Sequence, residues 1–189
     1  MSVLINADTS DGLKFTSDTS GEIKLQSGGT DIATVSSSGI TMASGKNLVT
    51  TAPAFSAYDA SLISLSNATW TKITYTTEDY DTNSNFASST FTPTVAGYYQ
   101  INTGLFVPGG SSSGATMALY KNGSLLYQLN RVSFSASFNH FLNGSAIVNM
   151  NGSTDYLEIY VTQSSGTTLS FGNNLKDGRW FNGCLVRAS

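Results

Sequence analysis

The chain has 189 residues, enough for one ordinary domain and a smaller appendage. Only 11% are charged, against about 25% in a typical soluble domain, but 40% hydrophobic and 11% aromatic residues supply core material and argue against disorder. A net charge of −3 without any basic run gives nucleic acid no electrostatic footprint, a lone Cys184 excludes an intrachain disulfide framework, and no stretch reaches the ~20 apolar residues of a membrane helix.

The opening Met-Ser-Val-Leu-Ile-Asn lacks a charged region followed by an apolar one, so the expectation is synthesis and folding in a cytoplasm. Short alternations follow, punctuated by Gly and Ser: 12–15, 21–25, 31–35 and 40–42. In each, apolar residues sit two apart, the period of a strand. Burying one such side chain yields roughly 1.5–3 kcal/mol, whereas ordering each backbone unit costs about 1–2 kcal/mol. Strands this poor in apolar surface do not make a domain singly. The expectation for residues 1–52 is a β-stalk in which several chains intertwine and pool their apolar faces, in preference to a flexible tether.

From Phe55 aromatics become frequent and longer strands are predicted: 72–77, 97–107, 115–120, 124–129, 132–142, 145–150, 155–161, 168–171 and 180–186. Between them stand turn signals at Pro108-Gly-Gly, Asn122-Gly123, Asn143-Gly144, Asn151-Gly152 and Asp177-Gly178. No useful length shows helical periodicity. Many strands joined by short turns predict an antiparallel sandwich or barrel.

The run Phe91-Thr-Pro-Thr-Val-Ala-Gly97-Tyr-Tyr99-Gln-Ile101 resembles the signature of the complement-component-1q and tumour-necrosis-factor-like jelly rolls, with Ile101 where that family usually has Phe. Phe55-Ser-Ala57, the strand–turn–strand run from Gly144 to Val161, and the ending Trp180-Phe-Asn-Gly-Cys-Leu-Val186 resemble further family segments in the expected order. A Ser-Thr insertion between Gly152 and Asp155 departs from the pattern. The resemblance covers residues 53–189 and implies a trimer about a threefold axis. The first fifty residues, in phrases such as Asn6-Ala-Asp-Thr-Ser-Asp-Gly-Leu-Lys14 and Ser37-Ser-Gly-Ile-Thr-Met-Ala-Ser-Gly45, resemble amino-terminal segments of bacteriophage fibre proteins. That resemblance implies a virion structural protein whose head meets a host surface.

Candidate chemistry is sparse. His140, the only histidine, has no neighbouring carboxylate to orient it as a base. Cys184, flanked by Phe181, Leu185 and Val186, reads as a small buried hydrophobe. Glu78-Asp79-Tyr-Asp81-Thr-Asn83-Ser-Asn85 offers oxygens at alternate positions, so Asp79, Asp81 and Asn83 resemble half of a calcium loop; the glycine and distal glutamate of such a loop are missing, and a polar exposed loop is the preferred reading. No other cofactor is expected. Nothing selects a pair of carboxylates for glycoside hydrolysis. Gly109-Gly-Ser-Ser-Ser-Gly114 is a small flexible loop without the lysine of a phosphate cradle.

Tyr99, Ile101 and Phe181 are assigned to core or trimer packing, and Tyr80, Ser111, Ser112 and Asn173 to candidate receptor loops. The expectation is an all-β protein: a trimeric jelly-roll sandwich of tumour-necrosis-factor type at 53–189 on an amino-terminal intertwined β-stalk at 1–52. It is expected to be non-enzymatic, to reside in a virion, and to have as partners itself as a homotrimer, other virion proteins through the stalk, and a host surface glycan or protein. Nucleic acid and membrane insertion are not expected. A non-receptor-binding head-fibre, collar or capsid-decoration protein is the alternative, and a surface-glycan hydrolase a distant one.

Overall fold

Residues 21–46, 52–108, 113–134 and 138–189 are described by the computed structural model. The chain divides into the units Met1–Thr50 and Thr51–Ser189. In the first, β1 (Ile23–Ser27), β2 (Thr30–Ser36) and β3 (Gly39–Met42) form an antiparallel meander in that order. Ile23 lies opposite Val35 and Val35 opposite Ile40; Leu25 lies opposite Ala33 and Ala33 opposite Met42. Facing residues share a side of the sheet, so these apolar residues all line one face. Yet only Ala33, at 4% exposure, is buried; Leu25 is 51% and Ile40 71% exposed. Lys24, Thr34 and Thr41 face one another in the polar row between them. The ladder between these strands is intrachain, so a second chain is not needed for their hydrogen bonds. The expected strand at 12–15 lies outside the described residues.

The second unit contains β4 (Ala54–Tyr58), β5 (Ile63–Leu65), β6 (Thr71–Lys72), β7 (Thr77–Asp81), β8 (Phe86–Ala87), β9 (Thr90–Phe91), β10 (Gly97–Val107), β11 (Ser113–Lys121), β12 (Ser124–Phe134), β13 (His140–Met150), β14 (Leu157–Gln163), β15 (Leu169–Phe171) and β16 (Arg179–Ala188). A five-stranded sheet runs β13-β10-β16-β4-β7. A second sheet runs β12-β11-β14-β9-β8, with β6 also paired to β14, and β15 pairs with β5. The core lies between the two large sheets. Phe55 and Phe181 come from one, Phe86 and Phe91 from the other; Phe55 stacks on Phe91 at 4.3 Å and on Phe86 at 5.0 Å and meets Phe181 edge-on at 4.9 Å. Such ring pairs add about 0.5–1.5 kcal/mol each beyond their buried area. Tyr99 and Ile101, two apart on β10, are fully buried, as is Phe181. The Tyr99 hydroxyl donates to the Val95 carbonyl at 2.8 Å, so its polar end is satisfied inside the core.

One ion pair is also internal. Arg179 meets Asp59 at 2.8 Å with both side chains almost inaccessible, and donates to the carbonyls of Thr74 and Ser61. Burial alone would raise the Asp59 carboxyl. Hydrogen bonds from Ser61 and Thr76, with the Arg179 charge, override it and hold the carboxyl at about 2.

Local departures from the expected elements have visible reasons. Asn122 and Gly123 do form the hairpin turn between β11 and β12, both with positive φ. Asn143-Gly144 is not a turn; it lies within β13, which pairs continuously with β10. Gly144 is needed there for close approach, since a Cβ would stand 2.6 Å from that of Leu129 on β12. β12 instead ends at Phe134 and β13 opens at His140, both within the strand expected at 132–142. Asp177-Gly178 ends a short 3-10 turn, Lys176–Gly178. At Asn151-Gly152 the Asn151 side-chain oxygen accepts from the amides of Ser153, Thr154 and Asp155, which absorbs the Ser-Thr insertion.

Candidate functional site

Alternation along the five-stranded sheet sends one set of side chains into the core and leaves the other on an open face. The rows of that face follow from register. Tyr98 lies beside Asn149 and Arg187; Gln100 beside Ile147 and Cys184; Asn102 beside Ser145 and Asn182; Gly104 beside Asn143 and Trp180; Phe106 beside Phe141. Ser56 and Tyr58 of β4 extend the rows of Asn182 and Trp180. The middle is polar and internally bonded. Gln100 donates to Ser145 at 2.6 Å and to Asn102 at 3.2 Å, and Asn102 donates to Asn182 at 3.1 Å. The two ends are apolar: Tyr98, Ile147 and Val186 are exposed at one, and Phe141, edge-on to Phe106 at 5.1 Å, at the other.

Trp180 fits because Gly104 has no side chain; a Cβ there would lie 2.5 Å from the indole nitrogen. Shallow cavities open on either side of it. One of about 500 Å³ is lined by Asn102, Asn143, Ser145, Trp180 and Asn182. The other, about 330 Å³, is lined by Ser56, Tyr58, Asp79, Lys176 and Trp180. A third, about 350 Å³, lies between the edge strands β12 and β13, against Tyr127, Leu129 and Ile147. Among the described residues, no cluster of His, Cys, Asp and Glu gathers around a point that would hold a metal.

The residues singled out from sequence are placed as follows. Asp79 lies on β7, an edge strand rather than a loop, where it binds Lys176 and accepts from the Ser56 hydroxyl. The Lys176 hydrogen bond lowers its carboxyl. Asp81 ends the same strand; its oxygens accept from the amides of Phe86 at 2.7 Å and Asn83 at 3.4 Å, and so organise the turn that follows. Asn83 accepts from the Thr82 hydroxyl through its side chain. Asp79, Asp81 and Asn83 are thus engaged by different partners, and Asp79 is turned toward Lys176. Tyr80 is exposed on β7. Asn173 is half-buried and structures its loop, accepting from the Leu175 amide and donating to Asp177. Ser111 and Ser112 lie outside the described residues. His140 opens β13 opposite Val107.

Cys184 corrects the reading of a buried hydrophobe: it is exposed, on the open face beside Gln100. Its neighbours in sequence misled because Phe181 and Gly183 point inward and Cys184, one residue on, points out. Sequence reasoning did not single out Trp180, Asn182, Ile147 or Phe141; their shared face emerges only from strand register.

No protein-family model matches the chain, and no curated protein matches it in sequence. Solved structures do match. The globular domain of zebrafish complement 1qA protein aligns at 16% identity over 73% of this chain and 99% of that one, with a TM-score of 0.54. Murine APRIL aligns at 7% identity over 71% and 99%, with a TM-score of 0.54 at pH 5.0, and at 9% identity with a TM-score of 0.51 at pH 8.5. These likenesses show the fold, an all-β jelly roll of the complement-1q and tumour-necrosis-factor type.

Proposed function

We propose that this jelly roll is the head of a non-enzymatic, homotrimeric bacteriophage fibre or spike, anchored to the virion through its amino-terminal section and meeting the host cell surface with its head. One observation carries the self-association: in both units, sheet faces bearing apolar rows stay open in the single chain. In the head these are Tyr98, Ile147, Val186 and Phe141; in the meander, Leu25 and Ile40 with their half-buried neighbours. Exposed aromatic and aliphatic side chains on a flat sheet suit a permanent interface. The cavity along β12 and β13 is the kind of edge that a neighbour's sheet face fits, and a face-to-edge contact repeated by rotation closes into a ring.

The phage and host-surface parts rest on the resemblance of the first fifty residues to fibre proteins. The non-enzymatic part is supported by the state of the carboxylates. Asp59, Asp79, Asp155 and Glu158 each hold a basic partner, and the first three are lowered, which suits charge pairing rather than proton donation.

Light scattering of the full chain tests the assembly. Three-chain mass is expected, falling toward one-chain mass in Ile147→Asp. A monomer whose amino-terminal section is nonetheless compact and protease-resistant would overturn it. Excess free protein is expected to block phage adsorption; a head-fibre, collar or decoration protein would leave adsorption untouched.

A further inference from the structure

The outward face of the six-stranded sheet carries a different surface. The rings of Tyr120 on β11 and Tyr160 on β14 pack at a tilt with centres 4.2 Å apart, and Trp70, just before β6, lies 6.0 Å from Tyr120. Ala118, which pairs with Tyr160, is on this face yet 0% exposed. Trp70 itself is 37% exposed. The strip is held from one side by a closed polar network. Lys72 donates to Glu158 at 2.7 Å, to Thr90 at 2.7 Å and to the Ser88 carbonyl at 3.0 Å, and the Tyr160 hydroxyl donates to the other Glu158 oxygen at 3.4 Å.

On the other side the sheet is not closed. Thr116 pairs with Thr162 across β11 and β14, and with Arg131 on β12. With Ala68, Gly114, Gln163 and Ser164 these residues line a cavity of about 180 Å³. Ala68 stands two residues before Trp70, and Val161, the neighbour of Thr162, pairs with Thr71. The side chains of Thr116, Thr162 and Arg131 make no hydrogen bond or ion pair among the described residues. Among the described residues, no carboxylate lines the cavity. The loop that presents Trp70 is fixed: the Ala68 amide donates to the Gln163 carbonyl at 2.7 Å, and Asn67 accepts from the Gly166 amide at 2.7 Å. The buried Gln163 side chain donates to the carbonyls of Leu65 and Thr167. A preorganised aromatic beside unspent donors avoids the ordering cost that weakens loop sites.

We propose that this surface is a glycan-binding site, in which a carboxylate-bearing sugar occupies the Thr116–Thr162–Arg131 cavity and the adjoining sugar lies across Trp70 and Tyr120. The chemistry selects that ligand class. A sugar ring presents polarised C–H groups that rest on the negative face of an aromatic ring. The threonine hydroxyls both donate and accept, as sugar hydroxyls require. Arg131 offers a planar fork to a carboxylate, and among the described residues it holds no ion pair. A quaternary ammonium is disfavoured because Tyr120 and Tyr160 touch, leaving no gap between them for a cation, and Lys72 already neutralises Glu158. Nucleic acid is disfavoured by the net charge of −3. The proposal rests on the host-surface reading for why a glycan is met, and it places contact on the sheet face opposite the self-association surface.

The test is calorimetric titration of the full chain with tri-galacturonate and, in parallel, galactotriose. Binding of the acidic oligosaccharide is expected. Arg131→Gln should weaken it about tenfold or more while leaving the neutral one unchanged, and Trp70→Ala should weaken both. Both side chains are on the surface, and a thermal melt of each variant confirms the fold. No binding of either sugar at millimolar concentration, affinities unmoved by both variants, or binding of a proline-rich peptide in their place would overturn the proposal. Cell adsorption separates the two readings. Variants that adsorb to host cells as well as the parent sink the site and leave the fibre intact; a parent that binds sugar in solution but adsorbs to no cell sinks the fibre and leaves the site.

Discussion

In the head, Phe55 stands on one sheet and Phe91 on the other, and their rings stack at 4.3 Å. In the amino-terminal meander, Val35 and Ile40 stand side by side on one sheet, and Ile40 remains 71% exposed. Both regions obey the same alternation. They differ in that, among the described residues, only the head has a second layer. A strand pattern therefore dictates which side chains share a face, but burial needs a partner sheet, which the meander lacks among the described residues.

The largest expected effect lies in the head. Phe55→Ala removes contacts to Phe86, Phe91 and Phe181 and should cost about 4 kcal/mol in chemical denaturation. Arg179→Met strands the buried Asp59 carboxylate and should cost about 3 kcal/mol by the same measurement. Ile40→Ser divides the two regions. If the meander face is covered by other copies, the variant loses roughly 1.5–3 kcal/mol per chain in trimer stability, read by dilution in an ultracentrifuge. An unchanged dissociation profile would mean that the meander stays open. The head's own melt should shift by less than about 0.5 kcal/mol either way.

The last effect appears only in acid. Asp59 is held at about 2 in the fold against 3.8 unfolded, so the unfolded chain takes up its proton first. The stabilisation is therefore complete above about 4 and is lost as pH falls toward 2. Asp59→Asn should flatten that part of the head's stability profile and leave the meander's response unchanged.

Much of the head was legible. Gly97–Val107 is a strand over its predicted span, because apolar residues two apart and a following Pro108 define both its face and its end. Tyr99 and Ile101 fell inside for the same reason. Asn143-Gly144 misled because a turn dipeptide also serves where a neighbouring side chain, here Leu129, needs the space. Tyr75 was expected within a strand over 72–77 and is buried, but its residue lies in an extended link between β6 and β7. The interaction surfaces were less legible. Trp70, Tyr120 and Tyr160 are far apart in sequence and meet only because β6 and β11 both border β14. Thr116 and Arg131 look like ordinary surface residues until register sets them round one cavity.

The place of β16 has a consequence for how the sheet is completed. This strand occupies the centre of the five-stranded sheet, hydrogen-bonded to β10 on one side and β4 on the other. Without it those two strands have a gap between them, and Trp180, Asn182 and Cys184 are missing from the open face. Cutting the chain before Arg179 would therefore leave two separated half-sheets rather than a shortened sheet, and the core would lose Phe181 at the same stroke.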